Sequence, residues 1–568
     1  MNKAKSIIKR FKIIIILVLI GSSSIFTWGF TDNYFELSKN LDIFATLFRE
    51  LNIYYVDETK PGDLMKKGID AMLESLDPYT NYIPESDIED YRFMTTGEYG
   101  GVGAVIRQKG DYVVVAEPYE NFPAHKADLR AGDMIIEING KSAKGKTVSD
   151  ISKILKGQPN TSLKLIIQRD GEKNNIEKEL VRQEIKIDNV PYFGLVDSNT
   201  GYIKLTSFTE TASKEVKEAF EKLKEKHNIK NLIFDLRGNG GGLLRESVNI
   251  VNFFVSKGED IVSTKGKIKD WDKVHKAINA PLDLEIPLII LTDEGSASAS
   301  EIVSGAIQDL DRGIILGQRT YGKGLVQQTR PLSFNSQLKV TVAKYYVPSG
   351  RCIQKLDYSH RNEDGEATVV ADSLNKPFKT KRGRLVYDGH GIDPDIHTDE
   401  KELSSVAISL LSKNLIFDFA TQYHVAHSTI PTSMDFKLTD VEFDDFVKFI
   451  ENKKYDEYVT LTEKRVEELK SIAEKEKYYD GFSKEYTSLL NKIKENKKDD
   501  IKKFKKEIIG LLEQEIVSRY YFQKGRIEAS IKYDVEIQKS VSVFNDKALY
   551  NSVLEGTYND KPKNPSKK

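Results

Sequence analysis

A chain of 568 residues is longer than one hydrophobic core serves and implies about three or four domains. Its 85 basic and 86 acidic side chains leave a net charge of −1, which excludes a global field for recruiting nucleic acid or an anionic membrane. The single cysteine, Cys352, excludes an intramolecular disulfide and a Cys-based zinc cluster.

At the start of the chain Lys3, Lys5, Lys9, Arg10 and Lys12 precede the apolar run Ile13 to Ile20, and apolar character continues loosely to Phe30. This layout predicts a signal peptide or signal anchor over residues 1–30, marginally long enough to span a bilayer. The positive flank then places the remainder outside the cytoplasm, in the cell envelope or periplasm. Residues 31–98 read as helical: Phe35, Leu37, Leu41, Phe44, Leu47, Phe48 and Leu51 recur at helical spacing, and a second helix runs from about Pro61 to Leu76. From 99 to 185 the pattern changes to short strands (Val102 to Arg107, Tyr112 to Ala116, Met134 to Ile138, Leu163 to Gln168) with one helix, Ser149 to Lys156.

Residues 186–400 alternate strands with helices, the pattern of an α/β core. Asn231 to Leu236 and Leu288 to Thr292 are buried strands, each followed by a helix (Leu243 to Ser256, Ser298 to Leu310), and Gly313 to Gly317 is a further strand. Residues 401–557 read as a helical region with an amphipathic face at Phe504, Ile508, Leu512 and Ile516. Either partner docking or self-association into a homo-oligomer is open to it. The Pro/Lys/Ser-rich tail, 558–568, reads as disordered. The fold class expected is thus multidomain: an α/β core with an inserted β-rich domain, a helical N-terminal segment and a helical C-terminal region.

Two segments invite chemistry. Gly295-Ser296-Ala297-Ser298-Ala299-Ser300-Glu301 joins a buried strand to a helix, where a nucleophile stands clear of a sheet and helix N–H groups face a developing oxyanion. Asp235-Leu236-Arg237-Gly238-Asn239-Gly240-Gly241-Gly242 follows another buried strand and supplies unhindered N–H groups. Each alone has a plainer reading, as a Ser-rich helix cap and as turn chemistry. The glycine run lacks the Gly-Lys-Ser/Thr ending of a phosphate-binding loop. None of the eight histidines sits in a triad-like setting; His390, between Gly389 and Gly391, comes nearest. Lys323, between Gly322 and Gly324 and beside apolar residues, is the better base, because burial disfavours the ammonium and a neutral amine accepts a seryl proton. Cys352 has no evident base beside it.

Together, Gly295 to Glu301, Lys323, the Gly238 to Gly242 loop and Gly389-x-Gly391-Ile392-x-Pro394-Asp395 resemble the C-terminal-processing (tail-specific) serine peptidases. The resemblance extends to Leu76-Asp77-Pro78-Tyr79-Thr80 and to Tyr345 through Arg351, covering roughly residues 35 to 400. It implies a Ser–Lys dyad 25 residues apart, which selects Ser298 and Lys323. It further implies that Gln327 orients the lysine, and that oxyanion donors are the N–H of Ala299 and of a loop glycine, Gly240 or Gly241. Tyr99-Gly100-Gly101-Val102-Gly103-Ala104-Val105 is similar to the carboxylate-binding loop of PDZ domains, with Ala127 to Ile135 and Ile138-Asn139-Gly140 as further PDZ-like segments. The implied function is hydrolysis of peptide bonds near protein C-termini captured by Gly100, Gly101, Val102, Gly103 and Ala104, with no metal or other cofactor. Two rivals stand beside it: a non-catalytic PDZ scaffold of the envelope, and acyl-CoA chemistry on a related Gly-rich fold.

Overall fold

A computed structural model describes residues 34–362, 365–369, 375–399 and 402–558. The predicted signal segment and nearly all of the predicted tail lie outside the described residues. Among the described residues no helix is long and apolar enough to cross a membrane.

The chain divides into two units, residues 1–82 and 83–568. In the first, α1 (34–54) and α2 (Pro61–Glu74) are the expected helices. Leu37, Leu41, Phe44 and Leu47 are nevertheless exposed, so the apolar face read from the sequence is not buried. Asp77 closes the turn after α2 by accepting the N–H groups of Tyr79 (2.8 Å) and Thr80 (2.9 Å).

The second unit opens with α3 (Ile88–Thr96) and β1 (Glu98–Gly101). A small antiparallel sheet follows, ordered β2 (Ala104–Lys109), β3 (Tyr112–Pro118), β4 (Met134–Ile138), β5 (Ser162–Gln168) and β6 (Ile176–Val181). The helix α4 (Val148–Leu155) packs Ile151 and Leu155 into its core. The strand β7 (Gln183–Lys186) returns to pair with β1. In the strand alternation of β5, Leu163, Leu165 and Ile167 are buried while Ser162, Lys164 and Gln168 are exposed, as a one-sided sheet requires.

The α/β core is a six-stranded sheet ordered β8 (Tyr192–Leu195), β9 (Thr200–Lys204), β10 (Asn231–Asp235), a strand at Leu288–Thr292, a strand at Ile314–Gly317 and a short strand at Ile396–His397. All neighbours are parallel except the β8–β9 pair. Helices α5 (Ala212–His227), α6 (Leu244–Asn252) and α7 (Ala299–Asp309) cover one face, on which Leu232, Phe234, Leu288, Ile290 and Ile315 are buried. Ile233, Ile289, Leu291, Ile314 and Leu316 point to the other face, against Ile537, Val543, Phe544, Tyr550 and Val553. Those residues come from α8 (Val535–Asn545) and α9 (Lys547–Leu554), so the last helices of the chain form the third layer of the core. A second sheet carries an antiparallel hairpin, Leu325–Pro331 paired with Gln337–Tyr346.

The region after residue 402 is helical, as expected from its pattern. Ile508, Leu512 and Ile516 are fully buried. Phe504 departs from the expected face: it is the non-helical residue preceding the helix Lys505–Ile531, packed only partly against the same core.

Candidate active site

Three loops leave the carboxyl ends of adjacent parallel strands. The first follows β10 and contains the glycine run; the second follows Leu288–Thr292 and contains Ser298; the third follows Ile314–Gly317 and contains Lys323. Ser298, Ala299, Lys323, Gln327, Gly240 and Gly241 all line one cleft of about 580 Å³.

Three serines crowd the second loop, and their surroundings separate them. Ser296 is fully buried, and its hydroxyl donates to the Leu236 carbonyl at 2.9 Å. Ser300 is likewise buried, donating to the Asn239 carbonyl at 2.8 Å. Ser298 is half-buried on the cleft wall, at φ 57° and ψ −110°. A non-glycine residue with positive φ is strained, and strain of this kind persists only where the surroundings impose it. Here they do: the Ser298 N–H donates to Glu301 Oε2 (2.7 Å), and the Ser298 carbonyl accepts from the N–H of Glu301 (2.9 Å) and Ile302 (3.0 Å).

The glycine loop is packed directly on this turn. A Cβ on Gly241, at φ +98°, would lie 2.7 Å from the Ala297 carbonyl oxygen and 2.9 Å from both Ala299 N and Ser298 Cβ, so only glycine permits the approach. Fully buried Asn239 holds the two loops together. Its carbonyl accepts from Ala297 N–H at 3.0 Å, and its Oδ1 accepts from Gly241 N–H at 2.9 Å. Asp293 Oδ1 makes a second tie, accepting from the N–H of Gly238 (2.8 Å) and Gly295 (3.0 Å). With Gly241 N–H engaged, the N–H groups of Gly240, Gly242 and Ala299 are those in the two loops that, among the described residues, have no acceptor within the chain; Gly240 and Ala299 both line the cleft.

Lys323 is half-buried between two buried glycines. Gly322 stands at φ +91°, where a Cβ would be 2.6 Å from Lys355 Cβ, and a Cβ on Gly324 would be 2.9 Å from Gln354 N. The glycines thus let the lysine loop lie flat on segment 353–355, fastened by Lys355 N–H to the Gly322 carbonyl (2.9 Å) and Gly324 N–H to Gln354 Oε1 (2.7 Å). A β-bulge between Val326 and Gln327 breaks the hairpin ladder, so consecutive residues from Leu325 to Gln327 reach the cleft. Gln327 Nε2 donates to Thr341 Oγ1 at 3.1 Å.

Two residues given no role from the sequence tie the serine and lysine loops together. Glu301 is fully buried; Oε1 accepts from Thr320 Oγ1 (2.6 Å) and Gly322 N–H (2.8 Å), and Oε2 from the N–H of Ser298 (2.7 Å) and Lys323 (2.9 Å). Burial pushes its carboxyl up to about 7 against the four donors, which favour the ionised form. The Tyr345 hydroxyl, also buried, is shared between the carbonyls of Lys323 (2.6 Å) and Ser298 (3.0 Å). A Ser-x-x-Glu spacing at 298–301 was the available signal for Glu301, since that pattern brings a glutamate back to the backbone where a helix begins. Nothing local marks Tyr345.

His390 is buried, 3.4 Å from Asp393 Oδ2, and is not part of the cleft wall. Burial raises the Cys352 thiol, keeping it protonated, and it too is absent from the cleft lining.

A second groove, about 180 Å³, lies between β2 (Ala104, Ile106) and α4 (Ser152, Leu155), closed by Phe93, Tyr99, Val102, Tyr119 and Lys156. In the sheet order β2 is an end strand, so one of its edges is open to strand addition. The carbonyls of Val102 and Gly103 accept from Ala124 N–H (2.8 Å) and Tyr119 N–H (2.9 Å). The trans peptides therefore turn the N–H groups of Gly103 and Ala104 the opposite way. A Cβ on Gly103, at φ +73°, would meet Phe122 Cβ at 2.6 Å.

A strained serine on a strand-to-helix turn, a glycine loop packed against it and a groove beside an open strand edge are features of a serine hydrolase acting on peptides. Residues 199–359 match the model of peptidase family S41, residues 114–169 that of the PDZ domain, and residues 406–544 that of the probable PDZ-protease C-terminal helical domain. The carboxy-terminal-processing protease of Bartonella bacilliformis is 36% identical over 327 residues, covering 57% of this chain and 75% of that protein. A probable CtpA-like serine protease of Staphylococcus aureus is 34% identical over 390 residues, covering 68% of this chain and 76% of that one. The chain belongs to the PDZ-bearing, tail-specific serine peptidases of family S41, as its sequence motifs had indicated, and is a serine endopeptidase.

Proposed function

We propose that the chain captures protein substrates by their C-terminal ends in the groove between β2 and α4 and hydrolyses peptide bonds near those ends with a Ser298–Lys323 dyad. Ser298 Oγ attacks the scissile carbonyl as neutral Lys323 Nζ takes its proton, with Gln327 holding the lysine. The oxyanion accepts from the N–H of Ala299 and Gly240, each such donor being worth about 100- to 1000-fold in turnover. Collapse breaks the C–N bond as the lysine returns the proton to the leaving amine; water then releases the acyl group by the same base. The N–H groups of Gly103 and Ala104 take the substrate carboxylate, alongside Gly100, Gly101 and Val102, and the peptide adds to the open edge of β2.

One observation carries this reading. Of the three serines in the loop, only Ser298 is strained, half-exposed and on the wall of a cleft that also holds Lys323, with Gly241 pressed against it. The basic and then apolar residues 3–30 support an envelope location with N-terminal anchoring. The direct test is a fluorophosphonate probe followed by peptide mapping. Labelling at Ser298, lost in Ser298→Ala and Lys323→Ala, is expected; labelling elsewhere, or peptidase activity in Ser298→Ala, would refute the assignment.

A further inference from the structure

We infer that the C-terminal helices are part of the catalytic machinery and that Glu536 is a positioning residue for both the glycine loop and the lysine loop. Glu536 lies in the first turn of α8, buried at the carboxyl ends of the core strands. Its Oε2 accepts from Arg237 Nη1; its Oε1 accepts from Thr398 Oγ1 at 2.6 Å and Gln318 Nε2 at 3.1 Å. Arg237 stands three residues before Gly240, and Gln318 five before Lys323. One carboxylate from the last helical layer therefore grips the stems of two of the three loops that meet at the cleft.

The third stem is joined through Gln318, whose N–H donates to the Thr292 carbonyl (2.9 Å) and whose carbonyl accepts from Thr292 Oγ1 (2.9 Å). Thr292 ends the strand that leads to Ser298. The grip is itself rigid. Asp534 caps α8 by accepting the N–H groups of Glu536 and Ile537, both at 3.0 Å, and pairs with Arg237 Nη2 at 2.9 Å. Arg237 also binds Asp235 (2.6 Å to Oδ2), and its carbonyl accepts from Lys204 Nζ at 2.7 Å. Asp235, Asp534 and Glu536 thus surround one guanidinium, whose planar fork suits several carboxylates at once.

A bond that merely glued helices to a sheet would be as useful anywhere on that face. Tyr550, which donates to and accepts from the backbone of Leu288 at the other end of the strand, shows what such a contact looks like. Glu536 instead sits where a shift moves oxyanion donors and base, and a misplacement on the order of 1 Å costs up to about 100-fold in rate.

Because this presupposes the Ser298–Lys323 reading, the test separates the two. Full-length Glu536→Gln and Glu536→Asp would be compared with wild type for kcat and KM on an internally quenched peptide, fluorophosphonate labelling rate, and melting temperature. Turnover is expressed per probe-titrated site. For Glu536→Gln we expect kcat and labelling rate to fall at least about tenfold with KM within about twofold, with partial recovery in Glu536→Asp. Wild-type kcat per titrated site, whether or not melting falls, would overturn the inference. Should Glu536→Gln fail to fold, Gln318→Ala removes one bond and leaves the Arg237 pair; a smaller loss weighted on kcat supports the inference, and unchanged kcat overturns it. Failure of wild type to label at Ser298 would instead overturn the dyad.

Discussion

Replacing Glu301 with glutamine keeps the shape of a fully buried side chain but turns one acceptor into a donor. Placed at the Oε2 position, the amide NH₂ would face two backbone N–H groups, those of Ser298 and Lys323; at Oε1 it faces the Gly322 N–H and a hydroxyl already accepting from Ile392 N–H. The second orientation is the better, and it leaves one buried donor unpaired, at about 1–3 kcal/mol. Against this, a carboxyl raised to about 7 costs the fold about 3 kcal/mol to keep ionised at higher pH, a cost that glutamine removes. The terms nearly cancel, so Glu301→Gln should melt within a few degrees of wild type. Turnover should not be spared, because the carboxylate holds both the strained Ser298 and the lysine loop, and misplacement there is worth about 10- to 100-fold in kcat. The pH dependence sharpens the test. An ordinary carboxyl ionises near 4.5 and Glu301 at about 7, so between those values the fold holds the extra proton. This group's contribution to stability therefore falls as pH rises through that window and is constant above it. Activity moves the other way: protonation of Glu301 below about 7 withdraws an acceptor, so wild-type kcat/KM should show an acid-side fall of about 10- to 100-fold centred near that value, and Glu301→Gln should lack that component. A glutamine variant with wild-type kcat, labelling rate and acid slope would refute the reasoning.

Ser298→Ala should abolish turnover, whereas Ser296→Ala and Ser300→Ala, each losing a buried hydroxyl bond worth about 1 kcal/mol, should lower the melting temperature and keep turning over substrate. Lys323→Arg should be as inactive as Lys323→Ala because guanidinium stays protonated, while His390→Ala should retain activity; the reverse pattern in a peptidase assay would restore a histidine mechanism. Gly103→Ala, forced against Phe122 at positive φ, should raise KM for free-acid substrates and narrow their advantage over amidated ones. Equal cleavage of amidated and free-acid substrates by wild type would refute carboxylate capture.

What could be read in advance was what is local. Met134–Ile138 and Leu288–Thr292 are short apolar runs bounded by polar or turn residues, and both strands fall where that pattern puts them. Ile508, Leu512 and Ile516 recur every four residues and are buried for that reason. The same rule misleads at Leu37, Leu41 and Phe44, because periodicity records a face and not what covers it. The glycines could be seen, but not their partners: Gly241 is demanded by Ser298, 57 residues away. Glu301 shows why a motif can be seen and misjudged. Read locally, Ser298-x-x-Glu301 is a helix cap; the contacts that change its meaning are to Thr320, Gly322 and Lys323, about 20 residues on, with no periodicity to announce them. Likewise nothing near Phe544 signals that it packs on the sheet bearing Ile233.

Topology supplies what the residues alone withhold. A right-handed parallel α/β sheet delivers each strand's carboxyl end to the same rim, and neighbouring strands lie about 4.8 Å apart. The strands ending at Asp235, Thr292 and Gly317 are consecutive neighbours, in register from Leu232–Leu288 to Thr292–Gly317. Any loops leaving those three ends must therefore meet within about 10 Å, whatever their separation along the chain. Proximity alone would leave three mobile loops. Cross-loop bonds do the rest in pairs: the Asn239 carbonyl and the Asp293 carboxylate join the first to the second, the buried Glu301 and Tyr345 side chains the second to the third, and Glu536 the stems of the first and third. Each pair is held from a residue outside the proposed dyad, so the geometry at Ser298 and Lys323 is over-determined. That redundancy is what allows a strained φ of 57° to persist at Ser298.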